Sequence, residues 1–149
     1  WLPFVMSDVT LLHTMLLLSA SHCRSVHGPN VHAIDTITLR GWAIRGINES
    51  LLDRTKLASD ELVAAVFNMA TYEAIFGDRD TYILHMSGLR RLVEHRGGLA
   101  RLGLDGLLER TLLWIDSNAS LIMGFDDFCF PKAMFPSVYS HPPPDPQTF

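Results

Sequence analysis

The spacing of apolar residues predicts α-helices along most of the chain, and no segment alternates convincingly in the manner of a β-strand. The first helix is expected to begin at the N-cap Ser7 and to run to about His22. Its most apolar run is Leu11 to Ala20, and Gly28 with Pro29 breaks the helical pattern. Because this segment is apolar on nearly every side, we expect it to be buried between other helices.

A second helix is predicted from the N-cap Asn30 to about Leu52, with one apolar and one polar side. The polar side carries Arg40, Asn48 and Asp53. The spacing therefore favours a helix that packs through one face. That face consists of Ile34, Ile37, Ala43 or Ile44, Ile47 and Leu51.

A third helix has the clearest start signal, Ser59 followed by two acids, and it is expected to end at Gly77. Its apolar stripe includes a carboxylate, because Glu73 lies beside Val66 and Ala70 at helical spacing. A carboxylate in that position needs a partner or a raised pKa. Two interpretations stay open, a structural salt bridge to an arginine and a role in ligand binding. The other residues of the stripe are Val63, Phe67 and Ala74.

A fourth helix, predicted over about Asp80 to Arg96, carries the first part of the arginine-rich stretch LRRLVEHRGGLARLG. Arg91 and His95 are expected to point outward, and Glu94 lies where it can pair with Arg90 or Arg91. We therefore predict a partly neutralised solvent face rather than a nucleic-acid surface, which needs many phosphate and base contacts. The inward face is expected to contain Tyr82, Met86, Leu89, Leu92 and Val93.

The glycine pair Gly97 and Gly98 predicts the end of this helix, since glycine reaches the left-handed conformation without steric cost. Arg96 lies in the last helical turn, where a cation meets exposed carbonyl groups. A phosphate-binding loop would need a preceding strand and a fuller glycine pattern. The stretch is therefore interpreted as the corner of a helical hairpin.

A connector and a fifth helix are expected after the corner. Leu99 and Leu102 are predicted to fill the gap between helices, and Asp105, flanked by Gly103 and Gly106, is the expected N-cap. The apolar positions of the fifth helix are Leu107, Leu108, Leu112, Ile115, Ala119 and Ile122. From residue 125 onward most of the prolines follow, so regular structure should stop there.

The pattern as a whole predicts an all-α fold of about five helices in an antiparallel array, with an irregular proline-rich C-terminal tail. Residues 1–124 are the expected helical domain, and residues 125–149 the expected extended or disordered segment. The chain begins at Trp1 rather than at a methionine. We therefore expect it to be a piece of a longer protein.

The composition argues against several classes of function, namely nucleic-acid binding, membrane insertion, zinc binding and catalysis. The net charge is −4, whereas proteins that bind phosphate backbones usually carry a basic surplus. The most apolar run is shorter than the ~20 residues that a membrane span needs. Cys23 and Cys129 are too few for a cysteine zinc module, and neighbouring histidines such as His22 and His27 lack the spacing of a helical metal pair. No activated nucleophile or pair of catalytic acids is found, so an enzyme is not predicted.

The region from His85 to Ala119 resembles the fungal-specific transcription factor domain, the regulatory region of fungal binuclear zinc-cluster transcription factors. The matching positions are H-x-x-G-L at His85, Gly88 and Leu89, R-G-G-L at Arg96, Gly97, Gly98 and Leu99, L-G-x-x-G at Leu102, Gly103 and Gly106, and W-x-D at Trp114 and Asp116. Weaker matches are S-D-E at Ser59 to Glu61, F-G-D at Phe76 to Asp78, and M-F-P at Met134 to Pro136.

This resemblance implies an all-helical fold and a role in transcription regulation in a fungal nucleus, with DNA contacted by a separate zinc-cluster module that this chain lacks. Zinc would belong to that module, so no cofactor is expected here. The matching positions are expected to maintain the fold. The resemblance assigns none of them a catalytic, cofactor-binding or metal-binding role. Partners are expected to be proteins, or a second copy, at exposed apolar helix faces. Two alternatives stay open, a small-molecule-sensing domain and a stand-alone interaction module.

Overall fold

The computed structural model describes residues 1–28, 35–57, 59–124 and 129–130, and within those ranges the protein consists of helices and turns with no strand. The predicted all-α fold is confirmed. The helices are α1 (Leu2–Met6), α2 (Val9–His27), α3 (Thr36–Leu52), α4 (Asp60–Phe76), α5 (Arg79–Arg96) and α6 (Leu107–Met123), with 3₁₀ turns at Leu99–Arg101 and Leu104–Gly106. The predicted division at residue 124 stays a prediction, since most of the later residues lie outside the described ranges.

Four helices begin at a side chain that accepts a hydrogen bond from a backbone N–H of the first turn. These caps are Asp8, Asp35, Ser59 and Asp78, with N···O distances of 2.9, 3.0, 3.1 and 2.9 Å. The predicted cap Ser7 was wrong by one position. Its hydroxyl donates to the Phe4 carbonyl at 2.7 Å and closes the short α1 instead, and the helix that follows extends to His27. The predicted cap Asn30 lies outside the described residues, and α3 begins at Thr36.

The central helix is α4, although the first predicted helix was the one expected to be buried between other helices. It packs against α2, α3, α5 and α6, and every residue from Leu62 to Ala70 is buried. Small side chains such as Ala64 and Ala65 allow neighbouring helices to approach on several sides. By contrast, α2 leaves Val9 and Val26 exposed.

The buried face of α3 differs from the predicted one. The side chain of Ile37 is 81% exposed and Leu51 is also exposed, so those two assignments were wrong. The cause is a close approach to α2, where a Cβ at Gly46 would overlap the Thr10 side chain. This contact fixes the rotation of α3. Its buried residues are Leu39, Ala43, Ile47 and Ser50.

The inward faces of α5 and α6 largely follow the predicted spacing. All five predicted inward residues of α5 are buried, as are Leu108, Leu112 and Ala119 of α6. Ile122 is 68% exposed, which contradicts its predicted inward position. Because the buried face of α6 also includes Asp116, it is rotated away from Ile122.

Candidate functional site

The arginine-rich stretch forms the corner between α5 and α6. Gly97 ends α5 in the left-handed conformation at φ +96°, and Gly98 follows at φ +103°. The Gly98 N–H donates to the Val93 carbonyl at 2.9 Å, and the Gly97 N–H donates to the Glu94 carbonyl at 3.0 Å. These bonds close the last turn of α5, as the glycine pair predicted.

Asp60 joins both sides of this corner to the start of α4. Its Oδ1 lies 3.1 Å from Nη2 of Arg96 and accepts the Gly103 N–H at 3.2 Å. The Nε of Arg96 also donates to the Arg101 carbonyl at 3.2 Å. A Cβ at Gly103 would overlap the Asp60 carboxylate, so the backbone can approach only without a side chain. The sequence did not predict this contact, because the acids after Ser59 indicated only a favourable interaction with the helix dipole.

The connector after the corner places apolar side chains in the core. Several of its residues also have unusual backbone angles. Leu99 and Leu102 are buried, as predicted. Asp105 is not an N-cap as predicted, but lies in the left-handed region at φ +51° within the second 3₁₀ turn, and Gly106 follows at φ +75°. Leu104 precedes them at φ +59°, so the chain turns into α6 through three successive residues with positive φ.

The motif residues of α5 have different surroundings. Leu89 is fully buried, whereas a Cβ at Gly88 would meet no atom within 4 Å. His85 is half-buried, and its Nε2 atom is buried without a hydrogen-bond partner in the described part of the chain. Burial lowers the pKa of His85, and the nearby Glu73 carboxylate only partly opposes this effect. The imidazole is therefore favoured in its neutral form.

Glu73 is the buried carboxylate that the sequence indicated, and an arginine of α3 is its partner. Its Oε1 accepts hydrogen bonds from Arg40 Nη2 at 2.6 Å and Nε at 3.2 Å, and its Oε2 accepts the Asp78 N–H at 3.3 Å. The hydrogen bond to Glu73 raises the pKa of the Arg40 guanidinium. A Cβ at Gly77 would overlap this carboxylate. The predicted structural salt bridge is present, and it links α3 to the turn between α4 and α5.

The W-x-D pair of α6 lies apart from the corner, and its two residues face different environments. Trp114 is 66% exposed. Asp116 is buried and accepts the backbone N–H groups of Cys129 and Phe130 at 3.1 and 2.9 Å. Burial raises the pKa of the Asp116 carboxyl and that of the Cys129 thiol, the latter to about 11. Phe130 is 0% exposed, so two residues of the predicted irregular tail contact the core.

The charges on the outer face of α5 are partly paired, and the possible metal ligands are scattered in the described part of the chain. Arg90 Nε lies 3.0 Å from Glu94 Oε1, so the outer face of α5 is partly neutralised. Cys23 Sγ lies 3.7 Å from His27 Nδ1, a helical pair that the sequence analysis overlooked. Within the described ranges, no group of three or more possible ligands could hold a metal ion. No described helix has the length and apolar character of a membrane span.

The profile of the fungal-specific transcription factor domain matches residues 1–148, a range that includes the corner, the Glu73 salt bridge and the Asp116 contact. The chain belongs to this family of fungal transcription factor domains. Neither a curated protein nor a solved structure matches the chain.

Membership in the fungal transcription factor domain family indicates a role in transcription regulation. The family is one of transcription factors and not of enzymes. The motif residues do not converge on one pocket. Arg96, Gly97, Gly98 and Gly103 meet at the corner. His85 instead lies within electrostatic range of Arg40 and Glu73, and Asp116 binds the backbone of the segment after α6.

Proposed function

We propose that this chain is the regulatory part of a fungal transcription factor, that it does not contact DNA, and that it acts in the nucleus through contacts with other proteins. The supporting observation is the Arg96–Asp60–Gly103 contact, because it uses the arginine and glycines of the motif to hold two helices together. The net charge of −4 also opposes binding to a phosphate backbone. Zinc and base recognition would belong to a separate module of the transcription factor.

A tethering assay tests the regulatory role. The chain is fused to an unrelated DNA-binding module and expressed in a fungal cell that carries a reporter gene with the module's binding sites. We expect reporter output to differ several-fold from that of the module alone, because the chain supplies contacts to the transcription machinery. A folded, nuclear fusion whose output equals that of the module alone would contradict the proposal.

Small-molecule sensing is a second candidate, and a groove between α3 and α4 supports it. Its volume is about 300 Å³, near the lower end of ligand sites, and it is lined by Thr36, Ile37, Arg40, Gly41, Ile44 and Tyr72. Native mass spectrometry of the chain purified from a fungal host tests this candidate. A copurified molecule that is lost on the change Gly41→Leu, which fills the groove, supports it, and a ligand-free spectrum contradicts it.

A further inference from the structure

A cluster of a buried acid, an arginine and a histidine lies where three helices meet. Glu73 of α4 is 1% exposed, and its Oε1 accepts hydrogen bonds from Nη2 and Nε of Arg40 of α3. His85 of α5 lies within electrostatic range of both side chains. The cluster therefore connects α3, α4 and α5, and His85 is its member that titrates closest to neutral pH.

The His85 ring has a polar atom on its inner side without a partner. The residue is half-buried, but its Nε2 atom is out of solvent and forms no hydrogen bond in the described part of the chain. A neutral ring leaves only one weak donor or acceptor unsatisfied there. A protonated ring has an N–H on both nitrogens and a full charge, and a buried charge without a partner is far more costly. The position therefore accepts the neutral ring and disfavours the cation.

The charges around the ring do not offset this cost. Both Glu73 oxygens already accept hydrogen bonds, Oε1 from Arg40 and Oε2 from the Asp78 N–H at 3.3 Å. Burial lowers the pKa of His85, Glu73 raises it in part, and the Arg40 guanidinium lowers it again. Tyr82 lies three positions earlier on α5, and burial raises the pKa of its phenol, so it stays neutral. The net effect of these groups favours the neutral ring.

We propose that protonation of His85 opens the junction of α3, α4 and α5, so that the chain contains a proton-operated switch. The protonated ring has to turn outward to bring its inner N–H into water. This movement exposes the Arg40–Glu73 pair to solvent and weakens the link between α3 and the turn that joins α4 to α5. Because Arg40 also lines the groove between α3 and α4, the same movement changes the shape of that groove. The switch is independent of the proposed function.

The direction of the pH dependence follows from the lowered pKa. In the opened junction the His85 ring regains its ordinary pKa of 6.5, so the open form binds the proton more readily than the closed form does. The closed form is therefore fully favoured above pH 6.5 and loses stability as the pH falls below that value. Uptake of a single proton limits the effect. Between about pH 7.5 and about pH 5.5, the ratio of closed to open molecules falls by at most about tenfold.

Hydrogen exchange at the Asp78 amide measures this opening, because that N–H donates to Glu73. Protection factors, which correct for the intrinsic pH dependence of exchange, are compared for the wild type, His85→Gln and His95→Gln. His95 is the matched control, an exposed histidine of the same helix. From about pH 7.5 to about pH 5.5 we expect protection to fall several-fold in the wild type and in His95→Gln, and to stay nearly constant in His85→Gln. The same pH dependence in all three proteins overturns the switch.

An NMR titration of the assigned His85 ring tests the proposal in the wild type, so it does not depend on the folding of a His85 variant. We expect the ring to titrate below pH 6.5, and Arg40→Gln to raise its pKa because a neighbouring cation is removed. A wild-type ring that titrates at or above pH 6.5 overturns the switch. An unchanged pKa in Arg40→Gln overturns the coupling between the ring and the ion pair. A chain that regulates the reporter of the tethering assay but lacks this pH response would overturn the switch and leave the proposed function in place.

Discussion

At the scale of single residues, two glycines of the region that resembles the family differ in backbone conformation: Gly88 lies within α5, and Gly97 is the C-cap of that helix. Gly97 has a φ of +96°, where an L side chain is strained, whereas Gly88 lies in the middle of the helix with open space around its Cα. A Cβ therefore costs energy at one position and is accommodated at the other. The backbone conformation therefore requires glycine at Gly97 and does not require it at Gly88.

We predict opposite effects for Gly97→Ala and Gly88→Ala on the free energy of unfolding. Gly97→Ala should destabilise by about 1 kcal/mol because the left-handed conformation disfavours alanine. Gly88→Ala should stabilise by roughly 0.5 to 1 kcal/mol because alanine is the better helix former. Urea unfolding of both variants checks this. Two changes of the same sign would contradict the account of the corner.

The buried carboxylate Glu73 gives a second prediction. Arg40→Ala leaves Glu73 without its cation, and losing one partner of a fully buried pair typically costs about 3–5 kcal/mol. Because the Arg40 side chain is 37% exposed, solvent screens the loss and we expect about 2 kcal/mol. The control is Arg45→Ala, an exposed arginine of the same helix that should change stability by less than ~0.5 kcal/mol. Equal thermal melts of the two variants would mean that the salt bridge is not structural.

At the scale of elements, Asp116 attaches the segment after α6 to the helices. Its two backbone hydrogen bonds favour the carboxylate, but burial has the larger effect and raises the pKa above 3.8. The folded state therefore holds the Asp116 proton more tightly than the unfolded state does. The stabilisation from this group is complete below pH 3.8 and is lost as the pH rises through the folded-state pKa.

The variant Asp116→Asn isolates this effect, because asparagine does not titrate in this range. We predict that the stability of the wild type relative to Asp116→Asn falls as the pH rises from about 3.8 toward neutrality. Other shifted acids, such as Asp35 and Asp78, are present in both proteins and cancel in the difference. Denaturant unfolding at a series of pH values measures it. A relative stability that grows with pH would show that the hydrogen bonds outweigh burial.

Signals within one element predicted local structure well, and contacts between elements could not be predicted. Ser59 and Gly97 were identified as helix ends because capping depends on residues within about one turn. The Gly103–Asp60 bond spans 43 positions, so its partner is fixed only by how the helices pack. The rotation of α3 depends similarly on the approach of Gly46 to Thr10. Hydrophobic spacing alone therefore placed Ile37 on the wrong side.

At the scale of the whole molecule, the arginine-rich stretch is a structural corner whose arginines pair with acids of the same chain. Arg90 is paired with Glu94 and Arg96 with Asp60, so these two cations form ion pairs within the fold. The chain carries a net charge of −4, which repels a polyanion. Both observations support a regulatory domain that leaves DNA recognition to another part of the transcription factor.

The central claim is tested most directly by fluorescence anisotropy of the purified chain with labelled duplex DNA at physiological salt, first with a random pool and then with any enriched sequences. We predict no sequence preference and no binding tighter than the nonspecific range of about 1 to 100 µM. Sequence-dependent binding with a dissociation constant below about 1 µM would contradict the claim that this domain does not read DNA.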